Sequence, residues 1–433
     1  MLVGGYAAII ALGTLLLALP VSAASGEWSP LGTAFFTATS AVCVTGLIVV
    51  DTATYFSAFG KSVILLLIQI GGLGYATAYI FIVILLGRKL SSGAQQTVKT
   101  GFNLPSIGRL RQVVLMAVTV TVVFELLGFL VMLPSFAARR GIGAGFFDSL
   151  FQAVSSFNNA GFSTYSDSLA SFSNDPLVGI IIPALTILGG IGFIVLVDLW
   201  DRFVARKRHG LSLHSIVVLR ATAWLIAASF VLVLFFEWNN PATLGAGPPG
   251  ERLLKALGMA VFPRTCGFSA VDYAVITPGT YLVTLLLMVI GASPGGTGGG
   301  VKTTTSFIVS LATLNVFRRR TSTVLYHRKL PAGVLLNAYA LVAVWFATLA
   351  AVTVIIAHIE PFSVHEVMFE TVSALGTVGL SQGITAQLSA ASRVLLSLLM
   401  VAGRVGPITA GSIAFGQAEP DAVHYPVEDV LVG

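Results

Sequence analysis

Apolar residues run in long blocks along this chain, separated by short stretches rich in glycine and basic residues. A helix needs about twenty apolar residues to cross the ~30 Å hydrocarbon core of a bilayer. Blocks of that length lie near 3–22, 57–86, 111–136, 177–201, 213–237, 280–316, 333–358 and 391–415. The sixth is interrupted by GASPGGTGGGVKTTT, Gly291 to Thr305. Between the two blocks of each successive pair lies a shorter apolar segment, roughly a dozen residues, and then a polar glycine-containing loop. Such a segment is too short to span and reads as a re-entrant helix.

The four short segments repeat one another. They are FTATSAVCVTGLIVVD at 36–51, FQAVSSFNNAGFSTYSD at 151–167, GMAVFPRTCGFSAVD at 258–272 and FETVSALGTVGLSQG at 369–383. Serine stands six residues before glycine in three of them, as Ser40/Gly46, Ser155/Gly161 and Ser373/Gly379, and Val261 replaces it before Gly267. Each glycine precedes Leu or Phe, and the glycines recur at intervals of 115, 106 and 112 residues. Internal periodicity of this kind signals repeated structural units. The predicted fold is an all-α integral membrane protein of eight transmembrane helices. They form four pseudo-symmetric helix–re-entrant pore helix–helix repeats around a central pore, over residues 1–90, 91–205, 206–325 and 326–433.

Non-helical backbone at membrane depth persists only where protein buries it or it lines a water-filled path. Four such loops about one axis can offer backbone carbonyls in place of an ion's hydration shell. Glycine suits this because it adopts positive φ readily, and a short helix directing its partly negative C-terminus at the axis favours a cation. The expected filter segments are 42–47, 157–162, 263–268 and 375–380. Their candidate ion-binding residues are Val44, Thr45 and Gly46; Asn159, Ala160 and Gly161; Thr265, Cys266 and Gly267; Thr377, Val378 and Gly379.

Composition agrees with a membrane protein. Charged residues are 10% of the chain and hydrophobic ones 56%, against about 25% charged in soluble domains, and mean hydropathy is +0.92. The net charge of +6 does not indicate a nucleic-acid partner, because the basic residues cluster beside the spans. The clusters are Arg88-Lys89, Lys99, Arg109/Arg111, Arg202 to His209, and Arg318 to Arg320 with Arg328-Lys329, the signature of cytoplasmic loops. Arg139-Arg140 falls on the opposite side. This orientation predicts a multi-pass protein of the cell membrane with cytoplasmic termini and extracellular filter loops. The N-terminal MLVGGYAAIIALGTLLLALPVSAASG ends like a cleavable signal peptide but lacks a basic n-region, so an uncleaved first span is preferred. Two cysteines, Cys43 and Cys266, are too few for a disulfide framework.

The interrupted block approaches the phosphate-binding pattern G-x-x-x-x-G-K-[ST]. Val301 separates Gly300 from Lys302, however, and the pattern belongs in an α/β sheet. Six glycines and a proline cannot hold a helix, since each interior glycine costs about 1 kcal/mol relative to alanine and proline about 3. The span therefore breaks, and 291–305 is expected to cross the permeation path as an intramembrane gate. Its candidate residues are Gly291, Gly295, Gly296, Thr297, Gly298, Gly299, Gly300 and Lys302, with Lys302 readable as a helix-end contact or as a second cavity charge. Charges inside spans each ask for a role. Glu125 reads as a buried hydrogen-bonded carboxylate, with a functional role as its alternative, and Asp198 and Asp201 as interfacial or solvated pairs beside Arg202. The six histidines have no metal-ligand spacing, and no set of enzymatic residues recurs, so no enzyme is expected.

FTATSAVCVTGL, SSFNNAGFST, FPRTCGFSAVD and TVSALGTVGLS, with GGTGGGVKTTT and the terminal GRVGPIT, resemble the pore-forming subunit of the Trk/Ktr/HKT potassium-transporter superfamily. Eight spans in 433 residues and the ending HYPVEDVLVG are closer to the Ktr type than to the Trk type, which carries extra N-terminal spans. The resemblance implies potassium as permeant ion, a homodimer with one pore per protomer, and a cytosolic ring of nucleotide-binding (KtrA-like) regulatory subunits. ATP or ADP then sits on that partner, with no cofactor in this chain beyond the permeant potassium and sodium as an activator. Glycine at 46, where some plant relatives carry serine and pass sodium, favours potassium. By motif position Arg404 becomes the pore arginine, a barrier to cations and a tether of the gate loop, with a structural ion pair as its alternative. Two other classes stay in view: a Na+- or H+-coupled secondary cation transporter with alternating access, and a membrane-bound nucleotide hydrolase. A single broken span among eight, beside four repeated loops, favours the pore over the transporter.

Overall fold

The computed structural model describes residues 2–85, 110–204, 206, 210–320, 323–326 and 328–406. Arg88-Lys89, Lys99, Arg109, Lys207 to His209 and the tail from Pro407 lie outside the described residues, as does the side chain of Arg111. The chain is mostly helical. Its main helices are α1 (Leu2–Ala18), α2 (Leu31–Val42), α3 (Ala58–Leu73), α4 (Tyr75–Leu85), α5 (Leu110–Phe157), α6 (Pro176–Gly190) and α7 (Phe193–Leu199). There follow α8 (Leu213–Glu237), α9 (Pro249–Val261), α10 (Pro278–Val289), α11 (Thr303–Phe317), α12 (Ala332–Ile359), α13 (Val364–Gly376) and α14 (Ala390–Val405). A two-residue hairpin, Val324–Leu325 with Arg328–Lys329, joins α11 to α12.

The helices start where the sequence supplies caps. Ser57, Asp175, Ser212, Thr277 and Ser389 each accept a hydrogen bond from a backbone N–H in the first turn that follows. Ser363 and Glu366 form a reciprocal capping box at α13, which satisfies amides that a helix leaves without partners.

Two kinds of helix differ in what they bury. The short segments are enclosed: Phe36, Ala38 and Val42 of α2, Phe151, Val154 and Phe157 at the end of α5, Met259 to Val261 of α9, and Phe369 to Leu375 of α13 are all buried. The long helices turn large apolar side chains outward, among them Leu126, Leu127 and Leu130 on α5, Trp224 and Phe235 on α8, and Phe346 and Val354 on α12. In water such a surface would drive association; against hydrocarbon it carries no penalty.

Eight unbroken spans do not emerge among the described residues. Three helices are long and apolar enough to cross a membrane, within Val114–Phe157, Leu213–Glu237 and Ala332–Ile359. A fourth candidate is the pair Pro176–Gly190 and Phe193–Val204, bent by 99°. The expectation that only the sixth block breaks is therefore corrected. α3 and α4 part at Gly74 (φ +77), α6 and α7 at Gly192 (φ +95), α10 and α11 across the long loop, and α14 stops at Gly406 (φ +92). Positive φ is costly for residues with a Cβ, so glycine sets each break. α5 also bends, at Gly141 (φ +79), which separates its membrane-length part from the buried segment that ends at Phe157.

Close packing of backbone on backbone holds the inner helices to the short ones. A Cβ placed on Gly71 would stand 2.1 Å from the carbonyl oxygen of Val42, one on Gly189 1.8 Å from that of Phe157, and one on Gly403 2.0 Å from that of Leu375. These carbonyls each lie four residues before the repeat glycine. In the third repeat Gly291 meets the carbonyl of Gly299 instead, at 2.1 Å, so the inserted loop occupies the equivalent position. Gly189→Val is expected to destabilise the fold by about 1–3 kcal/mol, the usual range for overpacking. Thermal unfolding in detergent checks this, with Gly333→Ala, whose Cβ meets nothing within 4 Å, not lowering the midpoint.

Candidate ion-conduction site

The four repeat loops adopt one backbone conformation. Two residues before each repeat glycine the chain is left-handed, at Val44 (φ 57), Asn159 (φ 61), Thr265 (φ 71) and Thr377 (φ 51). The glycines themselves have φ of 91, 70, 60 and 98 at Gly46, Gly161, Gly267 and Gly379. Three of the four left-handed residues are β-branched, for which this region is strongly disfavoured, and strain of this kind concentrates at functional sites.

The loops also meet in a closed ring. A Cβ on Gly46 would lie 2.4 Å from the carbonyl oxygen of Ala160, on Gly161 2.5 Å from that of Cys266, on Gly267 2.4 Å from that of Val378, and on Gly379 2.1 Å from that of Thr45. Each repeat glycine thus abuts the residue before the repeat glycine of the next loop, and the fourth returns to the first. All twelve candidate filter residues belong to this one assembly. Against it lies a cavity of about 180 Å³, lined by the four glycines together with Asp51, Ser166 and Tyr273. Burial works against ionising the Asp51 carboxyl. Hydrogen bonds from Ser166 and Thr54 and the backbone N–H of Ala53 more than offset it, so the group titrates below the ordinary carboxylate range.

Buried side chains brace three of the loops internally. The amides of Gly46 and Gly379 donate to Ser40 Oγ and Ser373 Oγ, each at 3.0 Å, and Ser155 Oγ donates to the Phe162 carbonyl at 2.7 Å. Val261 cannot do this. The third loop also winds differently: the Cys266 amide donates to Phe262 O, where Thr45, Ala160 and Val378 reach the serine one residue further back. Cys43 and Cys266 are both buried free thiols, and Cys266 Sγ lies 3.1 Å from Thr186 Oγ1.

The interrupted block forms a loop between α10 and α11 whose neck is clasped. The Gly291 amide donates to Val301 O and that of Ala292 to Gly299 O, at 2.9 and 3.2 Å. From there the loop touches three of the four repeat loops. Thr297 Oγ1 donates to Phe157 O at 3.3 Å, and the Gly299 amide donates to Thr377 Oγ1 at 2.9 Å. Gly298 packs so closely on Thr265 that a Cβ would stand 1.9 Å from its Oγ1. Gly295, Gly296 and Ser293 contact the α6–α7 break, as in the Phe193 amide donating to Gly295 O at 3.0 Å. Behind the loop is a cavity of about 690 Å³ whose lining includes Pro294, Lys302, Ile194 and Val217.

Arg404 completes the contact with the first repeat. Its guanidinium donates to the carbonyls of Thr297 in the loop and of Gly71 and Gly72 at the end of α3. Among the described residues no ion pair includes it, so the structural ion-pair alternative has no partner there. Lys302 Nζ donates to Gly298 O at 2.7 Å; it closes its own loop rather than projecting freely. Asp198 Oδ2 accepts from the Ser212 amide and Ser215 Oγ at 2.9 and 2.6 Å. No grouping of metal-binding side chains occurs among the described residues.

Two features escaped the reading of the sequence. One is the recurrence GGLG (71–74), GGIG (189–192) and GRVG (403–406), a G-x-x-G signal that marks every inner-helix break except the third. It puts Arg404 in register with Gly72 and Gly190. The other is the partner of Glu125. Its Oε1 accepts from Asn158 Nδ2 at 2.8 Å, and the same amide reaches Gln69 Oε1 at 3.1 Å. No local spacing links 69, 125 and 158.

The sequence profile of the TrkH family, described as a cation transport protein, matches residues 9–418. The chain is 37% identical over 432 residues to Ktr system potassium uptake protein B of Bacillus subtilis, covering 99% of this chain and 95% of that one. It is 33% identical to the potassium/sodium uptake protein NtpJ of Enterococcus hirae, covering 100% and 96% of the two. In fold it is similar to the crystal structure of the potassium transporter TrkH from Vibrio parahaemolyticus, with a TM-score of 0.72 and 16% identity over 96% of this chain and 85% of that one. This chain belongs to the TrkH cation transport protein family. The relatives named here are transporters, a non-enzymatic role.

Glu125→Leu removes the acceptor of a buried amide and is expected to cost about 1–3 kcal/mol. Glu125→Gln keeps an acceptor oxygen and should lose less than half of that. Unfolding midpoints in detergent compare them, and equal losses would show that the hydrogen bond to Asn158 contributes nothing.

Proposed function

We propose that the chain is a potassium-uptake pore of the cell membrane. In this reading carbonyls of Val44–Gly46, Asn159–Gly161, Thr265–Gly267 and Thr377–Gly379 replace the hydration shell of a potassium ion. The observation that carries it is the closed ring of glycine-to-carbonyl approaches. Only four equivalent loops about one axis make each loop both neighbour and support of the next, and the positive φ values on both sides of residues 45, 160, 266 and 378 turn successive carbonyls alike. The paired and broken helices then correspond to eight spans in four repeats, over 1–90, 91–205, 206–325 and 326–433. The names of the relatives, potassium uptake in two bacteria and potassium/sodium uptake in a third, support the same ion class.

The Gly291–Lys302 loop acts as the gate. It runs beside three of the four repeat loops, it is held by carbonyl bonds from Arg404 and Lys302, and a cavity behind it offers room to withdraw. Arg404 adds a positive charge against cations and tethers the loop at Thr297. Asp51, ionised at neutral pH, concentrates cations at the outer mouth. The relatives' description as parts of a Ktr system accords with a homodimer working with a cytosolic nucleotide-binding regulatory ring. ATP or ADP binds there rather than on this chain, and sodium serves as activator. The termini face the cytoplasm and the filter loops the outside.

Discontinuous inner helices favour a second reading, a sodium- or proton-coupled transporter with alternating access, since such breaks mark transporter sites. Transporter breaks pair up between two halves, whereas these recur once per repeat, which fits a fourfold pore better. Rubidium uptake into proteoliposomes separates the readings. A pore takes up rubidium under membrane potential alone, with potassium competing far better than sodium, and Gly46→Asp abolishes uptake. Dependence on an imposed sodium or proton gradient would favour the transporter. Arg404→Gln and deletion within Gly295–Gly300 are each expected to raise uptake several-fold; unchanged uptake in both would remove the gating role.

A further inference from the structure

Arg264 is the most anomalous buried group in the structure. It is 8% exposed and, among the described residues, no ion pair includes it. Among the described residues its Nε has no hydrogen-bond partner, and its guanidinium donates from Nη2 to Thr303 Oγ1 at 3.4 Å. Removing a guanidinium from water without a carboxylate is strongly unfavourable, and a charge retained at membrane depth marks a function by default.

Its position suggests which one. Three residues before the repeat glycines stand Cys43, Asn158, Arg264 and Gly376, and the two long side chains key their loops to different neighbours. Asn158 ties the second loop to Glu125 and Gln69 on the surrounding helices. Arg264 ties the third loop to the clasp of the Gly291–Lys302 loop. Thr303 Oγ1 is the node of that clasp: it donates to Gly291 O at 3.1 Å and accepts from Ser293 Oγ at 3.3 Å as well as from Arg264. The third loop is also the one without the internal serine brace, because Val261 stands where the others have serine. It therefore leans on outside supports: Cys266 Sγ lies against Thr186 Oγ1 of α6, and Arg264 reaches the Gly291–Lys302 loop at Thr303.

We propose that Arg264 is a positioning residue that couples the third filter loop to the neck of the gate loop through Thr303, so that gate opening and filter selectivity change together. This rests on the pore reading above. When the neck opens, Thr303 moves away from Arg264, the third loop keeps only its contact with Thr186 on α6, and the ring relaxes at Thr265–Gly267.

The test is a double-mutant cycle on the full-length protein in proteoliposomes, read as rubidium uptake and as the ratio of potassium to sodium needed to inhibit it. Arg264→Gln and Thr303→Val are each expected to raise uptake several-fold and to lower the potassium preference several-fold. The double variant should be no worse than either single one, because both cut the same link. Thr303→Ser, which keeps the hydroxyl, should retain the wild-type preference. If Arg264→Gln does not accumulate in the membrane, the Thr303→Val and Thr303→Ser pair carries the test, since lost packing alone would not shift ion preference and be rescued by a hydroxyl. Additive losses in the cycle, or Thr303→Val raising uptake with unaltered preference, would overturn the coupling while leaving the pore intact. Wild-type uptake that requires an ion gradient would remove the pore reading, and the coupling with it.

Discussion

Everything in this structure depends on backbone approaching backbone where no side chain fits. Gly46, Gly161, Gly267 and Gly379 each lie against a carbonyl of the next loop, so close that a single methyl group would collide. Dispersion and packing act over short distances, and here they lock four chain segments more than a hundred residues apart into one ring. The short buried helices that lead into the loops, and the glycines of the inner helices that pack beneath them, bring the backbones to that distance. A ring built this way is specific because it cannot be approximated: one substituted glycine displaces its neighbour, and the displacement passes around the ring.

The third repeat departs from the other three in a connected manner. It lacks the serine brace, winds its turn one residue tighter, and carries a buried arginine where another loop has an asparagine. Its inner helix is opened by the Gly291–Lys302 loop, and Gly291 packs on that loop rather than on the carbonyl that its counterparts use. One loop thus lacks internal support where a neighbouring segment reaches it, a segment held by hydrogen bonds to carbonyls and hydroxyls, by Gly298 packed on Thr265 and by the buried Val301. Three of the loops are braced by their own serines, and the third is braced from outside.

Much of this was legible in the sequence. The serine-to-glycine spacing located three of the loops and the recurring glycine followed by Leu or Phe the remaining one, and six glycines with a proline located the break in the sixth block, because these depend on local backbone preference. The other inner-helix breaks were not foreseen, since GGLG and GGIG sit inside strongly apolar blocks and one glycine more or less does not end a hydropathic run. Glu125 was legible as a buried hydrogen-bonded carboxylate, but its partner was not, nor was Arg264. Asn158, Gln69 and Thr303 are brought to these groups by how helices pack, and no periodicity encodes that. Arg404 was found only through its motif, and its binding to carbonyls rather than to a carboxylate is a property of the folded chain.

The central claim is that the four loops form one ion-selective ring. Crystals of the protein soaked in rubidium or thallium test it most directly through anomalous scattering. The account predicts an anomalous peak on the axis of the ring, within coordination distance of carbonyls from residues 45, 160, 266 and 378, displaced by potassium and not by sodium. Ordered peaks only away from that axis, or equal displacement by both ions, would contradict it.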